Sequence, residues 1–161
     1  MKISECNKCT KNIQNKNYSK GTKPANVMVI FDFYPTALDK EALMLGFIDN
    51  INKLVGKDLY YGYAIKCSTT VNSDSIKNCR SWMNLEISQV QPYLIILMGI
   101  IPKLMVFGNK YKGLLKPNMF YVVNEPKKAQ YFLGNSVNRD GIGDISLNTQ
   151  YLNTFIKEYY V

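Results

Sequence analysis

From Asn26 onward, short apolar runs alternate with longer segments whose apolar residues recur every three or four positions, and each run closes on glycine, proline or a polar cluster. This alternation predicts parallel strands joined by helical crossovers. Val27 to Phe31 reads as a buried strand. Leu38 to Val55 carries Leu43, Phe47, Ile51, Leu54 and Val55 at helical spacing, with Gly56 as its stop. Leu59 to Ile65 forms a tyrosine-rich second strand. Ser73 or Asp74 caps a helix whose stripe is Ile76, Cys79, Trp82, Met83, Ile87 and Val90, and Pro92 ends it. Leu94 to Leu97 is the clearest strand, and Gly99 opens a short helix that tolerates Pro102 in its first turn. Phe120 to Val123 predicts a fourth strand, and Leu152, Phe155, Ile156 and Tyr159 a C-terminal helix. The expected fold is a three-layer α/β/α sandwich around a central, mainly parallel four-stranded sheet, with its ligand site beyond the carboxyl ends of the strands.

At 161 residues, without repeats or an internal linker, the chain reads as a single domain over 1–161, large enough to bury roughly 68–70% of its unfolded surface. Residues 1–25 differ from the rest. They are rich in lysine and asparagine, with Ile3 and Ile13 among few apolar side chains, so they order only if something anchors them.

The longest apolar candidate, Leu94 to Met105, is interrupted by Gly99, Pro102 and Lys103 and falls short of the about 18 residues of a membrane span. The opening Met-Lys-Ile-Ser-Glu-Cys has no apolar signal-peptide core. No membrane partner is expected, and the location expected is cytoplasmic or otherwise intracellular. The abundance of Lys, Asn, Ile and Tyr fits an AT-rich coding genome such as a bacterial or phage one.

Charge narrows the partners. Lysine and arginine number 20 against 12 acids, a net charge of +8 with no histidine. The positive field attracts polyanions, nucleic acid first, although excess lysine also simply solubilises a surface. The missing histidine excludes a Ser-His-Asp triad and a Cys2His2 zinc site, leaving chemistry to carboxylates, cysteines, amides or a cofactor.

Four cysteines are present: Cys6 and Cys9 as a CxxC pair, Cys67 directly after a strand, and Cys79 on a helix. Together they supply one four-thiolate set, which suits tetrahedral zinc and an iron–sulfur cluster alike. Two disulfides would be the secreted-protein reading, and a buried thiol is the plain alternative for Cys79 on its apolar stripe.

Lys66-Cys67, Cys79-Arg80-Ser81-Trp82-Met83-Asn84-Leu85-Glu86-Ile87 and Gln91-Pro92-Tyr93-Leu94-Ile95-Ile96-Leu97-Met98-Gly99 resemble the family 4 uracil-DNA glycosylases. In that family a strand ends in Lys-Cys, a second cysteine opens a helix, and a Pro-x-hydrophobic strand ends in Gly. With the CxxC pair the resemblance runs from Cys6 to about Pro126. It implies that Cys6, Cys9, Cys67 and Cys79 hold a structural 4Fe-4S cluster that ties residues 1–25 to the domain, with zinc as the alternative metal.

The same resemblance implies altered catalytic motifs. Where the family has Gly-Glu-Ala-Pro-Gly, this chain has Phe31-Asp32-Phe33-Tyr34-Pro35, so Asp32 stands where the glutamate would act on water, and Phe33, Tyr34 or Phe47 would serve as the aromatic that stacks on the base. The asparagine that helps read uracil falls near Tyr63 or Ala64, and the late His-Pro-Ser aligns with Glu125-Pro126-Lys127, which places Asn124 and Glu125 at the base pocket. A glutamate there cannot donate to a departing uracil anion as histidine can. Lys127 and Lys128 fall where the family grips DNA. The expected function is a DNA-binding iron–sulfur protein with degenerate base excision, serving as a replication or repair accessory with a protein partner. The alternative is an active DNA glycosylase of changed base specificity.

Overall fold

The strands are built from the most apolar stretches of the chain, and their alternation decides which helix each face receives. The computed structural model describes residues 19–66, 73–108, 120–123, 129–138 and 145–159. In chain order the elements are β1 (Lys20–Gly21), β2 (Val27–Phe31), α1 (Leu38–Val55), β3 (Leu59–Tyr63), α2 (Ser73–Val90), β4 (Leu94–Met98), α3 (Ile100–Phe107), β5 (Phe120–Val123), β6 (Ala129–Gly134) and α4 (Ile145–Tyr159).

They form an α/β fold on one mixed sheet of order β1-β3-β2-β4-β6-β5. The four central strands are parallel: β2 runs beside β3 with Val27 opposite Leu59, beside β4 with Val27 opposite Leu94, and β4 runs beside β6 with Leu94 opposite Gln130. The edges are antiparallel, β1 against β3 and β5 against β6. The expected four-stranded sheet is therefore corrected to six strands, one of them only two residues long. Phe120–Val123 is an antiparallel edge rather than the fourth parallel strand. That place belongs to Ala129–Gly134, whose apolar core of Tyr131, Phe132 and Leu133 is too short to announce a strand between polar flanks.

Side chains of β2 and β4 alternate between two cores. Met28, Ile30, Ile95 and Leu97 pack with Met83 and Val90 of α2 and Met105 of α3. Val27, Val29, Phe31, Leu94, Ile96 and Met98 pack on the other face with Met44, Phe47, Ile48 and Ile51 of α1 and Leu152 and Ile156 of α4. Asn50 joins α1 to α4 by donating to Asn153 at 2.7 Å. In α1 Phe47 and Ile51 are buried as the spacing predicts and Leu54 and Val55 pack against the same core, while Met44 and Ile48 join the stripe and Leu43 lies at the solvent rim. No helix of the described residues is long and apolar enough to cross a membrane.

From β2 the chain crosses to β3 on one side, then returns past β2 to β4 on the other. The strand order thus reverses between β2 and β4, which puts the usual ligand crevice of such sheets beyond the carboxyl ends of these two strands.

Candidate functional site

Asp32 follows the last residue of β2 and lies in that crevice, 3% exposed. Three groups converge on its carboxylate. The Phe33 backbone N–H donates to Oδ1 at 2.9 Å, the Asn138 side-chain amide donates to Oδ1 at 2.6 Å, and the Ser136 hydroxyl donates to Oδ2. Burial pushes the Asp32 carboxyl above its ordinary value, and the bonds from Ser136, Phe33 and Asn138 pull it partly back.

Ser136 and Asn138 arrive on the turn that leaves β6. Asn148, fully buried on α4, braces this turn by accepting the Asn135 backbone N–H at 2.9 Å. Within it the Asn138 N–H donates to the Ser136 hydroxyl at 3.0 Å, and the Asn138 amide also reaches the Phe33 carbonyl at 3.0 Å. One asparagine thus staples the segment after β6 to the segment after β2. Gly99, which ends β4 between them, has φ +117°, and a Cβ there would come within 3.2 Å of the Ser136 Cβ and 3.4 Å of Asp32 Oδ2. A larger residue would push the carboxylate and its hydroxyl donor apart.

Three further expected residues gather at the same end of the sheet. Phe33 and Tyr34 are half-buried, while Tyr63 is buried in the core with its ring 5.5 Å from Tyr34 and 6.1 Å from Phe31. The Tyr34 hydroxyl donates to Glu41 at 2.7 Å, which holds its proton on more tightly. Tyr63 therefore supports the ring of Tyr34 from beneath, and burial raises its own pKa.

On the opposite face, Lys66 and Glu86 form a buried ion pair joining the end of the β3 segment to α2. Lys66 is 2% exposed, and Glu86 also accepts from the Tyr60 hydroxyl at 2.6 Å and from Ser19. Burial pushes the Lys66 ammonium down to about 7, with Lys23 adding to the fall and Cys79 opposing it. Cys79 is buried on the α2 stripe, near enough for its sulfur to act on the Lys66 charge. Cys6, Cys9 and Cys67 lie outside the described residues, as do Asn124, Glu125, Lys127 and Lys128. Among the described residues no group of three or more His, Cys, Asp or Glu could hold a metal.

Val123 pairs with Ala129 at the amino end of β6, whereas the Asp32 crevice lies at its carboxyl end. The segment that meets Asp32 is therefore Asn135 to Asn138, which sequence reading passed over. The available signal was a short apolar run, Tyr131 to Leu133, closing on Gly134 and three small polar residues within four positions. Compared with known proteins, the chain matches no protein-family model and no curated protein.

Proposed function

We propose that this chain is a DNA-binding iron–sulfur protein of uracil-DNA glycosylase-like architecture in which base excision is weak or lost, acting as a replication or repair accessory. The observation that carries this reading is the state of Asp32: it is buried, and both carboxylate oxygens accept from Phe33, Ser136 and Asn138. A carboxylate that activates water must keep an acceptor site for its proton, and three of the roughly four on Asp32 are taken. Here the two oxygens clasp the turns of the crevice.

Excision also needs a donor aimed at the departing base, and each such donor is worth about 10²–10³ in rate. The chain has no histidine, and the hydroxyl of Ser136 and the amide hydrogens of Asn138 are spent on Asp32 and the Phe33 carbonyl. Binding is supported by the net charge of +8 and by a crevice where the strand order reverses, the usual ligand position in such sheets. The CxxC pair of Cys6 and Cys9, with Cys67 and Cys79, supports a site formed by these four thiolates. A 4Fe-4S cluster there would supply a covalent tie for residues 1–25, with zinc as the rival metal.

The test is excision from a uracil-containing oligonucleotide by cluster-replete protein, comparing wild type with Asp32→Asn. Little or no product is expected from either. Robust turnover that Asp32→Asn abolishes would overturn the reading in favour of an active glycosylase of changed specificity.

A further inference from the structure

Helix α1 is apolar on more than one side. Met44, Phe47, Ile48 and Ile51 are buried against the sheet, while Leu38, Leu43 and Leu45 are 84%, 40% and 48% exposed. A lone exposed leucine is ordinary, but these three fall within about two turns of one helix and make a patch. Ala42 and Gly46 lie exposed among them, and a Cβ at Gly46 would meet nothing within 4 Å. At about 100° per residue, Leu43 and Leu45 stand on opposite flanks of the line through Ala42 and Gly46. The outward face of α1 is therefore a shallow channel between leucines, low enough at Gly46 for a second helix to approach closely.

Charge decides which helix fits. In a chain of net charge +8, α1 carries three acids against two lysines, so this face does not draw a polyanion. Asp39 in its first turn and Lys53 in its last are 14 residues apart, about 3.9 turns, and so share one face, with Gly46 midway between them. A second copy of α1 laid antiparallel across Gly46 sets Asp39 of each copy against Lys53 of the other, twice over, whereas a parallel copy sets like charge against like. Lys53 already reaches Asp49 of its own helix at 3.4 Å, and this exposed pair is weak enough for the ammonium to bridge both acids. We infer that the chain forms a twofold-symmetric dimer through the outward face of α1, the two helices antiparallel and crossing at Gly46, with Leu43 and Leu45 of both copies packed about the crossing. This interface stands apart from the DNA-binding reading.

One helix face offers fewer than the roughly 20–30 residues a side of a stable interface, so the pair forms at concentrations on the order of 100 μM. Sedimentation equilibrium of the full-length, metal-loaded protein, without DNA, reads it: the mass should climb from one chain toward two between about 5 and 500 μM. Gly46→Gln fills the crossing but meets nothing in its own chain. It should weaken association at least about tenfold while the Tm holds or rises, since glycine is the poorer helix former. Asp39→Lys and Lys53→Glu should each weaken it about fivefold, and the two changes together should restore it. A protein that stays monomeric over the whole range overturns the inference and leaves the exposed leucines to a different chain. A dimer that survives Gly46→Gln, or one that the double exchange fails to restore, overturns it as well.

Discussion

The hydroxyl of Ser136 donates to the carboxylate of Asp32 across 104 positions of chain, joining the end of the first parallel strand to the turn after the last. Gly99 of the intervening strand permits that approach. The bond makes Asp32 a clasp between segments, and its chemistry sets what substitution should do.

Asp32→Asn should fold with stability within about 1 kcal/mol of wild type at neutral pH. Its side-chain oxygen can keep the bonds from Phe33 and Asn138, and its amide can donate to a Ser136 hydroxyl that rotates to accept. Asp32→Ala strands three donors and should lose about 3 kcal/mol or more. Burial raises the folded-state pKa of Asp32 above its ordinary 3.8, so its contribution is fully present below that value and is lost as pH rises through the raised one. Urea melts of wild type and Asp32→Asn across the acid range should differ in slope in this sense, and parallel curves would contradict it.

Removing one partner of the buried Lys66–Glu86 pair should be costly. Glu86→Ala leaves the ammonium buried without its carboxylate and takes the acceptor from Tyr60 and Ser19, for a loss of about 3–5 kcal/mol. The double change Lys66→Met with Glu86→Gln keeps an acceptor for the two hydroxyls and should recover at least half of that loss. Denaturant midpoints compare the three proteins.

Gln91 closes α2 with φ +54°, the left-handed region that a side chain resists, while its N–H donates to the Ile87 carbonyl at 2.9 Å. Gln91→Gly should relieve about 1 kcal/mol. A Tm equal to or below that of wild type would show that the Gln91 side chain contributes something the backbone geometry does not reveal.

Protein purified without oxygen should carry iron and sulfide, and Cys79→Ala should lose both. Stoichiometric zinc without iron would keep the four-ligand site and reject the cluster. Stripping the metal should expose residues 1–25 to protease, since few apolar side chains remain to hold them.

Replacing Lys127 and Lys128 together by alanine should weaken DNA binding alike for all sequences and lower the salt slope by about 2. An unchanged slope would place the phosphate contacts elsewhere on the chain.

Much of the fold is legible along the chain because its signals are local. Gly56 and Pro92 close helices whose stripes are long, and α1 spans Leu38–Val55 as the spacing predicts. Asp32 is likewise legible, being the lone acid among Phe31, Phe33 and Tyr34 at the end of a buried run. Its partners are not. Ser136 and Asn138 follow a strand with only three consecutive bulky apolar residues, and small polar residues after a glycine read as an ordinary turn. What gives them meaning is the placement of β6 beside β4, a long-range pairing with no local trace. The same pairing sets β5 at the edge, where four apolar residues looked like an interior strand.

That long-range pairing also imposes an order in time. At a synthesis rate of roughly 5–20 residues per second, a ribosome releases Asp32 about 5–20 s before Ser136 and Asn138. Through that interval the carboxylate has none of its side-chain donors and stays hydrated, although β2, α1 and β3 are already made. During synthesis the burial of Asp32 therefore waits for β6 and the turn after it, and a nascent chain halted before β6 would display a charged, open sheet end that the finished protein conceals.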